Sequence, residues 1–254
     1  MCNFLSAIIT PTGDVLWHPM VDSHSDLVRI FKLNDDKKGR FAKVELLPGD
    51  HLLDVDKWMW HIDEETRPTW LDDIERMAEK TLRAIAKNII HVDETLDLIV
   101  DGCHIFGGKT AVESVRGGRV ISIGDSATIK EVRDSATINS VRGSATINSV
   151  RGSATIKEVR DSATIKEVRD SATINYVSDS ATINYVSDSA TINYVRGSAT
   201  INYVSDSATI NSVRGSATIK EVRGSATINS VRGSATINYV SDSATINYVS
   251  DSAT

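Results

Sequence analysis

From Asp125 onward a nine-residue unit, first read as DSATIKEVR, recurs without insertion or deletion to Thr254, in fourteen full copies and a four-residue stub. So short a unit buries no apolar face alone and gains a core only by stacking on its neighbours, which is the signature of a solenoid. Three apolar positions barely change from copy to copy: Ala127, Ile129 and Val132 in the first become Ala181, Ile183 and Val186 in a later one. These are the candidate core. A constant Thr such as Thr128 separates Ala from Ile, and the resulting in, out, in order is the two-residue alternation of a β-strand. Nine residues make about 2.5 turns of α-helix, so an apolar set repeating at nine would wander around a helix, and Thr, Ile and Val favour strand besides.

Variation is confined to a pair after Ile (Lys130-Glu131, Asn139-Ser140, Asn175-Tyr176) and a pair after Val (Arg133-Asp134, Arg142-Gly143, Ser178-Asp179). Both pairs face water. The second runs into Ser as RGS, RDS or SDS, a turn composition in which Gly or Asp takes the positive φ that a corner requires. Three residues rather than two separate Ile from Val, so a bend or bulge is expected at Asn-Tyr or Lys-Glu. The period predicts two repeats, 18 residues, per coil, with three repeats as the alternative. Seven coils at the spacing of parallel strands make a rod on the order of 34 Å long.

The Ala-x-Ile order followed by two outward residues, over roughly residues 108–254, resembles the pentapeptide-repeat solenoids. It departs from them in period, nine instead of ten for two units. A head opening MCNFLSAI joined to SAT-type repeats also resembles uncharacterised proteins of phages and gut bacteria, a likeness that implies no activity. The fold expected is mainly β: a β-solenoid of nine-residue repeats with a small α+β N-terminal domain. The expected organisation is an α+β head over 1–90, imperfect coils capping the solenoid over 91–124, and the repeat solenoid over 125–254.

All four Trp and all four Pro lie before residue 71, whereas all six Tyr lie in the repeats. The repeats carry 9 Arg and 4 Lys against 9 Asp and 4 Glu, so the whole net charge of −6 resides before Asp125. A neutral rod reproduces neither the field of the DNA duplex, the mimicry known among pentapeptide-like solenoids, nor a basic groove for nucleic acid. No nucleic-acid partner is expected. Neither a long apolar run nor a signal-peptide pattern is present, so no membrane association and a cytoplasmic location are expected, in keeping with only two cysteines, Cys2 and Cys103.

In the head, residues 3–10 read as a strand, 11–14 as a turn and 15–18 as the hairpin partner. Ser23 caps a helix whose apolar face is Leu27, Ile30 and Phe31. Residues 41–47 and 57–62 are further strands. Residues 69–89 form a long helix with Trp70, Ile74, Met77, Leu82 and Ile85 as its buried stripe.

Candidate chemistry is sparse. Removal of Met1 would expose Cys2 as an N-terminal nucleophile, the basis of a hydrolase alternative; a buried small residue opening a strand is the competing role. His18, Asp22, His24 and Asp26 crowd one place but match no metal-ligand spacing, so neither a metal nor a cofactor is assigned. Trp58 and Trp60, alternating on one strand face, and Trp70 form an aromatic patch that serves either as core or as a recognition pocket. With 18-residue coils Tyr176 stacks on Tyr194 and Tyr185 on Tyr203, giving two outward aromatic ladders. The Ser-x-Thr column raises ice binding as an alternative, opposed by charged corners. The last repeats carry no blunting element, so an end-to-end homodimer through Ile246, Val249 and Ala253 is expected. The reading that joins these features is a non-enzymatic protein-binding scaffold, phage-encoded and directed at a host protein.

Overall fold

The computed structural model describes residues 5–34 and 39–254, and the chain divides into two compact units, Met1–Ile90 and His91–Thr254. The first is the α+β unit. Strands β1 (Leu5–Ile9), β2 (Val15–Leu16), β3 (Ala42–Leu47) and β4 (Met59–Ile62) form an antiparallel sheet in the order β2-β1-β3-β4. The hairpin between β1 and β2 turns at Gly13, whose φ of 86° is open to glycine. Every residue of β1 is buried, so both faces of the central sheet are covered.

Helix α1 (His24–Ile30) starts where Ser23 Oγ accepts from the Asp26 amide (3.5 Å), as its sequence predicts. Leu27 is buried in a cluster with Ile8 and Phe41, but Ile30, the last helical residue, is exposed. Helix α2 (Leu71–Asn88) buries Leu71, Ala78, Leu82 and Ala86. The stripe expected on Trp70 and Met77 is thus rotated by one residue, and Met77 faces solvent. Alanines at 78 and 86 let the helix backbone approach closely, which longer side chains on the same face would prevent.

The second unit is a two-sheet β-solenoid. It begins with β5 (Ile90–Val92), β6 (Thr95–Ile99), β7 (Cys103–Gly107), β8 (Ala111–Val115) and β9 (Arg119–Ile123), and continues with one strand per nonamer from Thr128–Val132 to Thr245–Ile246. Alternate strands belong to alternate sheets, one of nine strands and one of ten, all parallel neighbours being two strands apart in sequence. Each coil is therefore 18 residues, as in the pairing of Ile129 with Ile147 and of Ile138 with Ile156. The three-repeat alternative falls. Residues 91–124 supply rungs in register with the repeats, β8 pairing with Thr128–Val132 and β6 with β8.

Ala, Ile and Val of successive repeats are fully enclosed from Ala127 to Val222, with Phe106, Val112 and Val115 extending the same core backward. Within each strand the paired positions are Thr, Ile, the second outward residue and Val. The residue after Ile is where the strand bends, which lets Ile and Val both point inward although three apart.

Corners are made as composition predicts. From Asp125 to Asp251 each carries Asp (nine times) or Gly (six times) at positive φ, between 52° and 74°. The aspartates also bond. Asp161 accepts from the Gly143 amide and Asp170 from the Gly152 amide, both at 3.0 Å and both one coil earlier. A carboxylate thus satisfies a corner amide that no strand ladder reaches.

Candidate functional site

Two groups of side chains stand apart from the packing: the outward ranks of the solenoid, and a polar cluster inside the α+β unit.

On the solenoid the Tyr pairs stack as the 18-residue register requires. Tyr176 and Tyr194 have ring centroids 5.1 Å apart and 12° from parallel, and Tyr185 and Tyr203 are 5.0 Å apart at 9°. The first pair lies on the ten-stranded sheet and the second on the nine-stranded one, within the same stretch of coils. Arginines from the following coil cover three of these rings: Arg196 over Tyr176 (5.3 Å), Arg214 over Tyr194 (5.2 Å) and Arg223 over Tyr203 (5.8 Å). Each face thus presents aromatic rings and guanidinium planes together. Tyr176 is 39 % and Tyr185 48 % exposed.

Beside the Tyr pairs runs an amide ladder that periodicity did not reveal. Asn193 donates to Asn175, Asn211 to Asn193, Asn229 to Asn211 and Asn247 to Asn229, at 2.7–3.0 Å. It occupies the bend after Ile, the position outside the paired backbone set, so side-chain amides tie coils together there. Thr occupies the strand while its companion Ser sits in the turn, so the Ser-x-Thr columns are not two ranks of one flat strand face.

The aromatic patch of the α+β unit is not built as expected. A 3₁₀ turn (Val55–Lys57) delays β4, so Trp58 precedes the strand, is 2 % exposed and donates Nε1 to the His51 carbonyl (2.9 Å). Arg83 of α2 secures this turn by donating to the carbonyls of Val55 and Trp58. Trp60 is half-buried in β4 and donates to Glu75 (2.9 Å), which also pairs with Arg67. The Arg67 hydrogen bond, with that of Trp60 adding to it, holds the Glu75 carboxyl below the usual carboxylate range. Trp70 donates to the Gly39 carbonyl (2.6 Å). Each indole therefore has its own structural partner.

The four residues His18, Asp22, His24 and Asp26 part company. His18 Nδ1 accepts from the Met20 amide, Asp26 pairs with Arg29, and the Asp22 carbonyl accepts from Ser6. His24 instead turns inward, 4 % exposed, and meets Glu45 of β3 and Asp63 just after β4. One donor atom from each lies within 4.8 Å of the others. His24 Nε2 bonds the Val44 carbonyl (3.0 Å) while Nδ1 faces Asp63 Oδ2 (3.0 Å). Sequence reading passed over Glu45 and Asp63, although an acid between Val44 and Leu46 in an apolar run was a visible signal. Cys2 lies outside the described residues.

A pair of histidines lies in the first coils. His104 Nε2 must donate to the Asp101 carbonyl (2.9 Å), so its Nδ1 accepts from His91 Nε2 (3.1 Å), and His91 Nδ1 meets Glu94 (2.8 Å). Burial pushes His104 below its ordinary value, with the charge of His91 acting in the same direction.

At the last rungs Ile246 and Ala253 pack against the core, while Val249 is exposed, together with Tyr239, Val240 and Tyr248. No helix among the described residues is long and apolar enough to cross a membrane. Comparison with protein-family models, curated proteins and solved structures finds no match to this chain.

Proposed function

We propose that this protein is a non-enzymatic scaffold that binds other proteins through the outward faces of its solenoid. The observation that carries the reading is the pair of Arg-covered tyrosine stacks, one on each sheet. Tyr and Arg are the side chains most enriched at the energetic centres of protein interfaces, because they bury large, rigid area and still hydrogen-bond at the rim. Parallel rungs hold them at a fixed spacing, so little conformational entropy is lost on binding. Two faces at the same stretch of coils allow two partner molecules to be held at once. A neutral repeat region favours partners that are neither polyanions nor anionic membranes. Kinship with pentapeptide-repeat solenoids and a phage origin with a host protein as target belong to the same reading, supported by the Ala-x-Ile order and the SAT-type cassettes.

Copies with Asn-Ser in place of Asn-Tyr form the same strands, so Ser at the Tyr position is compatible with the coil. Replacing Tyr176, Tyr185, Tyr194 and Tyr203 with Ser is expected to leave the far-ultraviolet spectrum unchanged and to abolish capture of proteins from a host lysate by the immobilised full chain. An identical set of captured proteins would overturn the proposal. For the edge at Thr236–Val240 and Thr245–Ile246 we propose pairing with a second copy, on the strength of exposed Val240 and Val249 above Ile246 and Ala253. Light scattering of Val249→Glu should then report a smaller particle than the unaltered chain, and equal masses would count against it.

A further inference from the structure

We propose that His24, Glu45 and Asp63 form a binding site for one divalent first-row transition-metal ion of the zinc class. The argument starts from Glu45. It stands in the middle of β3, paired in register with Ser6 on one side and His61 on the other, in a sheet whose neighbouring strand β1 is buried throughout. The residue is 8 % exposed, and no side-chain hydrogen bond or ion pair engages it among the described residues. A carboxylate so largely taken out of water is costly unless a cation meets it, and Glu45 stands between Val44 and Leu46 in a strand whose other charged residue is Lys43.

His24 is arranged to share that cation. Its Nε2 donates to the Val44 carbonyl, which fixes the ring with Nδ1 toward Asp63. A backbone carbonyl that holds one imidazole nitrogen and so aims the other at a carboxylate is the usual support of a metal-bound histidine. Nδ1 points at Asp63 Oδ2, 3.0 Å away. That contact is a hydrogen bond, and a Glu45 carboxylate oxygen lies within 4.8 Å of both atoms. The His24–Asp63 pair leaves Glu45 outside it, whereas a divalent ion taking the place of the shared proton meets all three donors.

The dimensions fit a small ion. Zinc-type metal distances of about 2.0–2.1 Å to nitrogen and oxygen set tetrahedral donor separations of roughly 3.3 Å. The present separations, 3.0 Å for one pair and at most 4.8 Å for any, bracket that value, so small side-chain rotations complete the set. One imidazole nitrogen beside two carboxylates favours zinc, manganese, iron or cobalt over calcium and magnesium, which take oxygen ligands. Asp63 has a side chain 53 % exposed, giving the ion a route from solvent and leaving room for water in the fourth position.

The test uses the full chain stripped with a chelator and titrated calorimetrically with Zn²⁺, Co²⁺ and Mg²⁺. The expected result is one equivalent of Zn²⁺ or Co²⁺ per chain, cobalt absorption bands of a nitrogen and oxygen site, and no comparable uptake of Mg²⁺. Asp63→Asn, a change at a half-exposed position that spares the core, should weaken binding at least tenfold, and Glu45→Gln should do the same. His104→Asn, in the His91–His104 pair, should leave the affinity unchanged. Absence of stoichiometric binding, or binding that survives Asp63→Asn and Glu45→Gln together, would overturn the assignment.

Discussion

Replacing Ile192 with Ala tests the stacked-rung core where it is most complete. Ile192 is fully buried and lies in register between Ile174 and Ile210 of the neighbouring coils. The substitution removes three carbons, about 2.4 kcal/mol of transfer free energy at ~0.8 kcal/mol per methylene. The cavity adds to this, because backbone ladders on both sides prevent the rung from collapsing, and the expected total is about 3–4 kcal/mol, within the range measured for such changes. Ile246 provides the internal control. It is partly exposed and its strand pairs with one neighbour, through Ile228, so Ile246→Ala should cost roughly half as much or less. Urea unfolding followed by circular dichroism, with the denaturant slope held equal across variants, reads both values. Equal losses at the two positions, or a loss below about 1 kcal/mol at Ile192, would refute the picture of rungs that stabilise one another through a shared aliphatic interior.

Asp188, at φ of 54°, accepts from the Asp170 amide, so Asp188→Ala should cost on the order of 1–2 kcal/mol in thermal unfolding while Asp188→Gly costs distinctly less. Asn193 both donates to Asn175 and accepts from Asn211; Asn193→Ala breaks two rungs of the ladder and is expected to destabilise by about 1–2 kcal/mol, whereas the exposed Met77→Ala should shift the transition little. His104 titrates below 6.5 when folded, so the unfolded chain binds the more protons between the two values. Its contribution is complete above pH 6.5 and is lost as pH falls toward the folded value. A plot of melting temperature against pH should therefore fall more steeply below 6.5 for the unaltered protein than for His104→Asn, and parallel curves would contradict it.

The repeat made the solenoid legible because its physics is local and identical in every copy. Alternation named Ala, Ile and Val as the interior, three-residue spacing located the bend after Ile, and RGS, RDS and SDS marked the corners; all three hold in the structure. Coil length was open between two and three nonamers until strand pairing set it at 18 residues, since a period tells what repeats and not which copies meet. That one quantity then placed Tyr176 on Tyr194, Arg196 over Tyr176 and Asn193 on Asn175.

In the α+β unit the strands and helices were readable from capping and apolar runs, but their mutual contacts were not. Trp58 reads as a strand residue until the turn at Val55–Lys57 delays β4, and Met77 reads as core until Ala78 and Ala86 set the approach of α2. His24 lies 21 residues before Glu45 and 39 before Asp63, and no short motif spans such separations. Sequence alone determined the elements and the repeating core, because backbone conformation and burial follow from neighbours a few residues away. Tertiary structure decided which titratable and aromatic groups share a site, because strand order and helix packing bring together residues whose chemistry is silent until they meet.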